Sequence, residues 1–421
     1  MEVVRRRLDS DTCGDSDRSG APSAGRPAKE RIVRQHTIAP SVTGQSGRPS
    51  AGRMVRSGRR RYDPCLVPGC IVVVAYEGRR HLAQALNSCA EHAVGTPVVV
   101  VDNASTDGSS EMVRRDFPEA MLMPQVRNRG FAGGCNVGIQ AARDRGAEWV
   151  LLLNQDAWLT AGAIEALVAY LETHPRAAAV QPAIMRPDGR CNSLGNPFHY
   201  LGFTVAGGNG QTIEEAERNP MLPWLRSGDW RGGTTIPAVS GAAMILRLAA
   251  LDMVGDLEEE LFLYHEDLDL SMRLRGAGWT LHLVGGVRVI HDHEFSRNPR
   301  KWYFVERNRH WVLFAHLRLR TLAILLLPLA GAEVAVLTLA LRQGWMREKL
   351  EAYAYWAKPG NLRYLMRRRA EIAPLRRIGD AELLAPASVQ FSPTEVASAL
   401  TDRVFNPTSA LIWRLLKPLV R

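Results

Sequence analysis

The stretch TPVVVVDNASTDGSS, residues 96–110, joins a run of four valines to a loop of Asp, Asn, Ser, Thr and Gly. A short β-branched run is typical of a buried strand, and the residues that follow it favour a tight turn. Two more apolar runs end in polar residues in the same way, CIVVVAYEG (70–78) and EWVLLLNQDA (148–157). Segments with helical spacing lie between these runs, at 79–93 and 135–145. This alternation predicts an α/β domain with a mostly parallel sheet flanked by helices.

Polar residues at the ends of these strands form the first candidate site. In such sheets the ligand lies beyond the carboxyl ends of the strands, so these side chains are expected to meet at one edge. Asp102 is suited to a ribose hydroxyl or a base edge, and turn formation alone is the alternative. A Rossmann dinucleotide site is disfavoured because no G-x-G-x-x-G follows the first strand. The strand-end residues are Tyr76 with Glu77, Asp102 with Asn103, and Asn154 with Asp156.

The segment RNRGFAGGCNVGI, residues 127–139, is rich in glycine. Glycine lets the backbone approach a ligand closely, and Arg127 and Arg129 add positive charge suited to a diphosphate. A flexible loop that caps the next helix is the alternative interpretation.

The stretch LLLNQDA, residues 151–157, delivers Asn-x-Asp at the tip of a buried strand. This resembles the D-x-D arrangement that holds Mg²⁺ or Mn²⁺ against a nucleotide diphosphate, because hard cations prefer oxygen ligands. Asp156 is the expected carboxylate ligand. Asn154 replaces the first acid of that arrangement, so it offers only a neutral oxygen.

The stretch LFLYHEDLDLSMRL, residues 261–274, places three acids within four positions. Acids that repel one another are tolerated at the positive start of a helix, or where a cation or a reacting proton needs them. The pattern predicts a helix that ends at Gly276, with Asp269 and Arg273 spaced to form an ion pair. A structural helix start and a catalytic site are both compatible with it.

Taken in order, six motifs resemble the inverting nucleotide-sugar transferases of glycosyltransferase family two, which have a GT-A fold. The resemblance covers residues 70–312 and is strongest to the rhamnosyltransferase-like branch that builds cell-surface glycans. It implies transfer of a sugar, with rhamnose from dTDP-rhamnose as the first choice, to a hydroxyl of a lipid-linked or cell-surface glycan. The alternatives are a non-catalytic membrane-associated scaffold that binds nucleotide sugars, and another nucleotide-using enzyme such as a dehydrogenase. The motifs are VVAYEG, VVVDNASTDGS, NRGFAGGCNVGI, LLLNQDA, SGAAMILR and FLYHEDLDLSMRLRGAGW.

The resemblance also implies roles for individual residues. Asp267 matches the general base, with Glu266 as its catalytic neighbour and Asp269 as the second candidate for the base. Asp156 and His291 match the ligands of a Mg²⁺ or Mn²⁺ ion. His265 stands where an aromatic residue is expected. Donor contacts are implied for Tyr76, Glu77, Asp102, Asn103, Asn128, Gly133 and Asn154, and acceptor or diphosphate contacts for Asp269, Arg273 and Arg307.

The flanks of this region differ from it in composition. Residues 1–69 are basic and poor in large apolar residues, which predicts a disordered tail. The segment 321–341 is apolar for about one bilayer width, but Pro328 and Glu333 are costly in hydrocarbon. Basic residues on both sides favour an interfacial or re-entrant helix pair on the cytoplasmic face of the cell membrane, with a buried core helix as the alternative.

We therefore expect four regions: the tail at 1–69, a GT-A domain at 70–312, membrane-associated helices at 313–378, and a C-terminal tail at 379–421. The net charge of +10 resides in the flanks, so binding of nucleic acid by the central domain is not indicated. The six cysteines form no C-x-x-C pair, which argues against structural zinc and a disulfide framework.

Overall fold

The valine run at 98–102 is a buried strand in the computed structural model, which describes residues 68–292, 300–391 and 401–421. All but the last two residues of the predicted N-terminal tail lie outside these ranges. The strands are β1 (Gly69–Ala75), β2 (Val98–Asp102), β3 (Met121–Pro124), β4 (Trp149–Asn154), β5 (Ala157–Leu159), β6 (Ala177–Met185), β7 (Cys191–Ser193), β8 (Thr234–Thr235), β9 (Ala243–Arg247) and β10 (Thr280–His291).

The helices flank this sheet and continue beyond it. They are α1 (Arg79–His92), α2 (Ser109–Asp116), α3 (Gly130–Arg143), α4 (Ala163–Thr173), α5 (Ile213–Arg218), α6 (Leu248–Val254), α7 (Glu266–Gly276), α8 (Lys301–His316), α9 (Leu319–Ile324), α10 (Leu326–Gln343), α11 (Met346–Trp356), α12 (Pro359–Ile372), α13 (Asp380–Leu383) and α14 (Asn406–Leu416).

The main path of the sheet has the strand order β3-β2-β1-β4-β9-β6-β10-β5. Strands β1 to β4 run parallel, β9 lies antiparallel between β4 and β6, and β6 and β10 are again parallel to each other. The edge strand β5 is antiparallel to β10. Most strands on this path therefore run in one direction, and the predicted α/β class with a sheet flanked by helices is confirmed.

The strand register brings the predicted polar ends to one edge. Ala75 at the end of β1 pairs with Asp102, and Val74 pairs with Asn154. The Tyr76 amide donates to Gln155 Oε1 at 2.9 Å, and Gln155 Nε2 donates back to the Tyr76 carbonyl at 3.0 Å. The ends of β1, β2 and β4 thus lie side by side, as the sequence predicts.

Helix α3 begins at Gly130 instead of residue 135, so the predicted glycine-rich loop is wrong over most of its length. A Cβ atom on Gly134 would lie 2.6 Å from the side chain of Val74, and one on Gly138 would lie 2.2 Å from that of Val72. These glycines let α3 pack directly against β1. Their function is close helix-to-sheet packing, and it is not loop flexibility.

The C-terminal helices form one packed unit with the sheet domain. Helix α8 runs through the predicted boundary at 312 and contacts α7, α11 and α12. In α14 the Trp413 ring stacks on Tyr200 with centroids 4.5 Å apart, and Ser409 Oγ lies 2.8 Å from His199 Nε2. Residues 401–421 are therefore docked on the domain, which corrects the prediction of a C-terminal tail.

The apolar segment at 321–341 forms a helix pair, α9 and α10. Among the described residues, α10 is the one helix long and apolar enough to cross a bilayer by length and composition. Its buried residues are Ala332, Val336 and Ala340, spaced along a single stripe, so it is not a buried core helix. Glu333 forms ion pairs with Arg309 of α8 and Lys349 of α11. These pairs satisfy the acid that seemed costly from the sequence.

Candidate active site

Asp156 and His291 lie side by side where β4 and β10 end. The antiparallel pairing of β10 with β5 sets His291 opposite Ala157, the residue after Asp156. His291 Nε2 lies 3.1 Å from Asp156 Oδ1 and 3.3 Å from Asn154 Nδ2. Asn154 Oδ1 is buried and has no hydrogen-bond partner among the described residues. Three potential ligand groups thus converge although their elements are distant in sequence.

This donor set fits a divalent cation of the hard or borderline type. A carboxylate oxygen, an imidazole nitrogen and an unpartnered amide oxygen suit Mg²⁺ or Mn²⁺. The described residues contain no group of three or more His, Cys, Asp and Glu side chains that could hold a metal on their own. A cation here would therefore need further oxygen ligands from phosphate or water.

Asn192 supports this pair and was not foreseen from the sequence. Its Oδ1 atom lies 3.0 Å from His291 Nδ1, which fixes the orientation of the ring. Asn192 belongs to β7, in a region at 185–236 where sequence pattern alone gave no assignment. Because it meets His291 only through the pairing of β7, β6 and β10, the local sequence carries no signal for this contact.

The other strand-end residues mostly hold the edge together. Asp102 is buried, with Oδ1 accepting from the Ser105 amide at 3.0 Å and Oδ2 accepting from the Ser110 hydroxyl. Glu77 Oε1 accepts from the backbone and side chain of Thr106 at 2.8 and 3.0 Å. The Tyr76 side chain is 47% exposed. The contacts of Asp102 therefore support a role in turn formation, which is the alternative to a nucleotide contact. The Tyr76 side chain is exposed and remains accessible to a ligand.

Asn103, Asn128 and Gly133 surround the start of α3. Asn103 Nδ2 donates to the Gly130 carbonyl at 2.8 Å, and Asn128 Oδ1 accepts from the Gly130 amide at 2.7 Å. Gly133 is buried in the first turn, where an added Cβ would lie 2.7 Å from that of Arg129. Arg129 pairs with Glu259 at 2.9 Å, so its charge is already compensated. These residues shape the helix start next to the strand ends.

The loop before α7 has an unusual backbone. Phe262, Tyr264 and His265 have φ angles of 62°, 68° and 68°, a left-handed conformation that non-glycine residues adopt rarely. Asn308 Nδ2 donates to the carbonyls of Leu261 at 2.9 Å and Tyr264 at 2.6 Å, among others. Such conformations persist where the surroundings over-determine them, and Asn308 supplies that support.

Arg307 supports the same loop. Its Nη2 donates to the Glu260 carbonyl at 2.6 Å and the Leu261 carbonyl at 2.8 Å, and its side chain is buried. The expected contact of Arg307 with acceptor or diphosphate does not match this placement. The Arg307-Asn308 pair was visible in the sequence, but its target, a loop more than forty residues earlier, was not.

Asp267 and Glu266 occupy the first turn of α7. Asp267 Oδ2 accepts from the Gly241 amide at 3.2 Å, and Oδ1 accepts from the Leu268 amide at 2.8 Å. Burial raises the pKa of Asp267, and burial together with the Asp267 charge raises the pKa of Glu266 to about 8. Since backbone N–H donors favour its anion, Asp267 is the acid of the pair that ionises first. Glu266 keeps its proton at neutral pH.

Asp269 and Arg273 form the ion pair that their spacing predicts, and it lies in the interior. Arg273 Nε donates to Asp269 Oδ2 at 2.9 Å, and His316 Nε2 lies 2.8 Å from Asp269 Oδ1. Asp269 is 1% exposed, and the Arg273 charge together with the hydrogen bond to His316 holds its pKa well below the usual range. Neither Asp269 nor Arg273 lines the cavity described next, so their expected contacts with acceptor or diphosphate do not match the structure.

A cavity of about 520 Å³ lies between the strand ends and the start of α7. It brings His291 of the predicted metal pair and the predicted base Asp267 to one space, because both residues line it. His265 lines it as well, and burial lowers the pKa of its imidazole to about 4, so this residue is neutral. The polar residues that line it include Asn154, Asn192, Ser240, Glu266, Asp267 and His291.

Comparison with known proteins identifies the family of the chain. A family model described as glycosyl transferase family 2 matches residues 70–250. The N-acetylglucosaminyl-diphospho-decaprenol L-rhamnosyltransferase of Mycobacterium tuberculosis is 31% identical over 247 residues, which cover 54% of this chain and 78% of that protein. The dTDP-rhamnosyl transferase RfbF of Shigella flexneri is 23% identical over 194 residues, or 46% of this chain and 59% of that one.

Among solved structures, the mannosyltransferase PcManGT of Pyrobaculum calidifontis in complex with GDP-Man and Mn²⁺ is similar at a TM-score of 0.44. It is 19% identical, and the match covers 85% of this chain and 88% of that one. The family model and the mycobacterial relative decide the assignment. The chain belongs to glycosyltransferase family 2, and it is a sugar transferase of the rhamnosyltransferase-like kind.

Proposed function

We propose that the chain transfers rhamnose from dTDP-rhamnose to a hydroxyl of a lipid-linked glycan, with inversion at the anomeric carbon. The names of two relatives support the sugar, and one of those names specifies N-acetylglucosaminyl-diphospho-decaprenol. The observation that carries the proposal is that Asp267 and His291 line one cavity. An inverting transferase needs a base and a diphosphate-binding group facing the same sugar.

The proposed reaction is a single displacement. The Asp267 carboxylate removes the proton of the acceptor hydroxyl, and the acceptor oxygen forms a bond to the anomeric carbon. The bond between that carbon and the diphosphate oxygen breaks, and dTDP leaves with the electron pair. Burial raises the pKa of the Asp267 carboxyl, which makes its anion a stronger base for this task. Because Glu266 keeps its proton, it adds no second negative charge beside Asp267.

Asp156 and His291 are the proposed ligands of a Mg²⁺ or Mn²⁺ ion, with the Asn154 amide oxygen next to them. A bound divalent cation neutralises charge on the departing diphosphate. Asn192 holds the imidazole so that the other ring nitrogen faces Asp156. The exposed ring of Tyr76 is the proposed contact for the nucleotide base, since aromatic faces stack on bases of any sequence.

The outer face of α10 is the proposed contact with the cytoplasmic face of the cell membrane. Leu327 and Val334 are exposed there, and Arg342 and Arg347 are exposed just beyond. Apolar side chains next to basic ones suit an anionic lipid surface. The pairing of Glu333 with α8 and α11 favours peripheral attachment over a free span.

The test is a panel of nucleoside-diphosphate sugars with Mn²⁺ or Mg²⁺ and membrane lipid extract, in which release of the nucleoside diphosphate is measured. We expect release from dTDP-rhamnose that is lost on addition of EDTA and in the Asp267→Asn variant. Release from a different donor would mean that another sugar is transferred, and the proposed mechanism would still hold. Silence of the folded wild-type protein across the panel would favour the non-catalytic scaffold.

A further inference from the structure

The cavity has an apolar wall that the proposed reaction does not use. This wall is formed by Trp302 and Val305 of α8, Val336 and Leu339 of α10, and Trp345 at the start of α11. The indole rings of Trp302 and Trp345 stack with centroids 4.8 Å apart. Five apolar or aromatic side chains in one place suit an apolar part of a ligand, whereas the groups assigned to the reaction, Asp267 and His291, are polar.

One face of α8 joins this wall to the rest of the cavity. Trp302, Val305, Glu306 and Arg309 all line the cavity, and their spacing places them on a single face of the helix. The cavity is thus continuous along α8, from the helices that carry the apolar wall to the start of α7. A ligand with one polar and one apolar end fits a space of this kind.

The charged residues on this face are compensated within the protein. Arg309 Nη2 lies 2.9 Å from Glu306 Oε2, and Lys349 Nζ lies 2.5 Å from the same oxygen. Arg309 and Lys349 also pair with Glu333. Because these cations already have carboxylate partners, the wall is better suited to an uncharged chain than to a second phosphate.

Helix α10 is apolar on both its inner and its outer face. Val336 and Leu339 face the cavity, whereas Leu327 and Val334 are 84% and 66% exposed. A helix that is apolar on all sides is expected in a core or at a lipid phase, and α10 is mostly outside the core. The element that forms the apolar wall is therefore also the element suited to a lipid surface.

We propose that the apolar wall binds the isoprenoid part of a lipid-linked acceptor, nearest its diphosphate, while α10 lies against the membrane that supplies it. This inference rests on the proposed function, because it assigns the lipid end of the acceptor whose sugar faces Asp267. The occupant is a prenyl chain, since such a chain is uncharged and is attached directly to a polar diphosphate sugar.

The test compares two acceptors, N-acetylglucosaminyl diphosphate esterified to farnesol or to methanol. We expect the wild-type protein to have a KM for the farnesyl acceptor lower by about tenfold or more, because each buried methylene adds to affinity. Val336→Trp and Leu339→Trp fill the wall, so they should raise this KM towards that of the methyl acceptor. The readout is the ratio of the two KM values in each variant, because the methyl acceptor has no prenyl chain to occupy the wall.

Leu341→Trp is the matched control, because Leu341 is 71% exposed and lies on the side of the same helix away from Val336 and Leu339. This variant should keep the wild-type preference for the farnesyl acceptor. If the two wall-filling variants also keep that preference, the inference is wrong. Failure of the wild-type protein to glycosylate either acceptor would instead contradict the proposed function.

A second measurement does not depend on turnover or on the stability of the variants. A farnesyl acceptor with a benzophenone at the end of its prenyl chain is photolysed with the full-length wild-type protein, and the labelled peptides are mapped. We expect labels within 301–316 and 326–345, reduced by competition with unlabelled farnesyl acceptor. Labels confined to other segments would overturn the assignment.

Discussion

The side-chain nitrogen of Asn308 lies 2.6 Å from the carbonyl oxygen of Tyr264, three residues before the proposed base Asp267. The same nitrogen donates to the carbonyls of Leu261 and Leu263, each at 2.9 Å. One fully buried amide on α8 therefore holds the left-handed loop from which α7 begins. The position of the base depends on a residue that does not line the cavity.

The Asn308→Asp substitution should lower kcat. The change keeps the shape of the side chain but replaces the donor with an acceptor that faces three carbonyl oxygens. Each buried group left unsatisfied costs about 1–3 kcal/mol, so we expect lower stability and a shifted loop. Steady-state kinetics should show a fall in kcat of about tenfold to a hundredfold with an unchanged KM for the donor.

The matched control for this variant is Asn361→Asp, because Asn361 Nδ2 donates one hydrogen bond of 2.8 Å to the Tyr355 carbonyl, away from α7. It should retain the wild-type kcat. An Asn308→Asp protein with full kcat would show that the base does not depend on this support.

Asp267→Asn and Asp269→Asn should separate catalysis from stability. Asp267 is half-buried and lines the cavity, so its amide variant should lose about 100-fold or more in kcat with little change in unfolding free energy. Asp269→Asn leaves Arg273 buried without its charged partner, which costs about 3–5 kcal/mol. Urea denaturation and turnover measurements on both variants test this prediction. The reverse pattern would assign the base to Asp269.

Glu266→Gln should change how stability depends on pH. The pKa of Glu266 is raised from 4.5 to about 8 on folding, so the folded state holds this proton more tightly than the unfolded state. Below pH 4.5 both states are protonated, and as pH rises from 4.5 to about 8 the wild-type protein loses stability through this group. The loss is at most about 1.4 kcal/mol per pH unit.

The glutamine variant lacks this group, so its unfolding free energy relative to wild type should increase across that window and level off above it. Urea denaturation at several pH values inside the window measures the difference. A difference that does not change with pH would mean that Glu266 has an ordinary pKa.

Asn192→Ala should weaken binding of a divalent cation. Removal of an outer partner of a ligating histidine typically costs tenfold to a hundredfold in metal affinity. We expect a higher Mn²⁺ concentration for half-maximal activity, with kcat recovered at saturation, and EDTA should abolish turnover in both proteins. Asn196→Ala is a control on the same segment, because Asn196 also lines the cavity but contacts Ser193 instead of His291. Equal Mn²⁺ curves for all three proteins would exclude the proposed role.

Leu327→Glu and Val334→Glu should reduce sedimentation with anionic vesicles. Both side chains are exposed, so the changes remove no core packing. Each acid near a negative lipid surface opposes attachment, and higher salt should weaken the wild-type interaction. Met253→Glu on α6, a change at another exposed apolar residue, should sediment like wild type. Unchanged sedimentation of the α10 variants would remove this face from the membrane contact.

The sequence predicts best what local pattern determines. The valine-rich runs that form β1 and β2 are β-branched and end in turn residues, so both the strands and their polar ends could be foreseen. The acid-rich start and basic end of α7 likewise indicated its bounds. The positions of Asp156 and Asp267 followed from these elements, because both lie where an element begins or ends.

Contacts between distant segments could not be foreseen. Glycines within α3 indicated a loop because their packing against β1 is a tertiary effect that overrides helix propensity. The partnership of Asn192 with His291 joins residues 99 apart through sheet pairing. The docking of Trp413 on Tyr200 has no counterpart in local composition. In each case the contacting residues are far apart in the sequence, so local periodicity contains no information about the contact.

Helix α8 fixes the spacing between the apolar wall of the cavity and the loop before the proposed base. Trp302 on the apolar wall and Asn308, which supports the base loop, are six residues apart, or about 9 Å along the helix axis. Because the helix is rigid, it fixes the distance between the proposed lipid-binding wall and the loop that carries the base. The proposed prenyl site and the base therefore suit an acceptor whose reacting hydroxyl lies at one distance from its prenyl chain. Acceptors with more or fewer sugars between the prenyl chain and the reacting hydroxyl should therefore be poorer substrates.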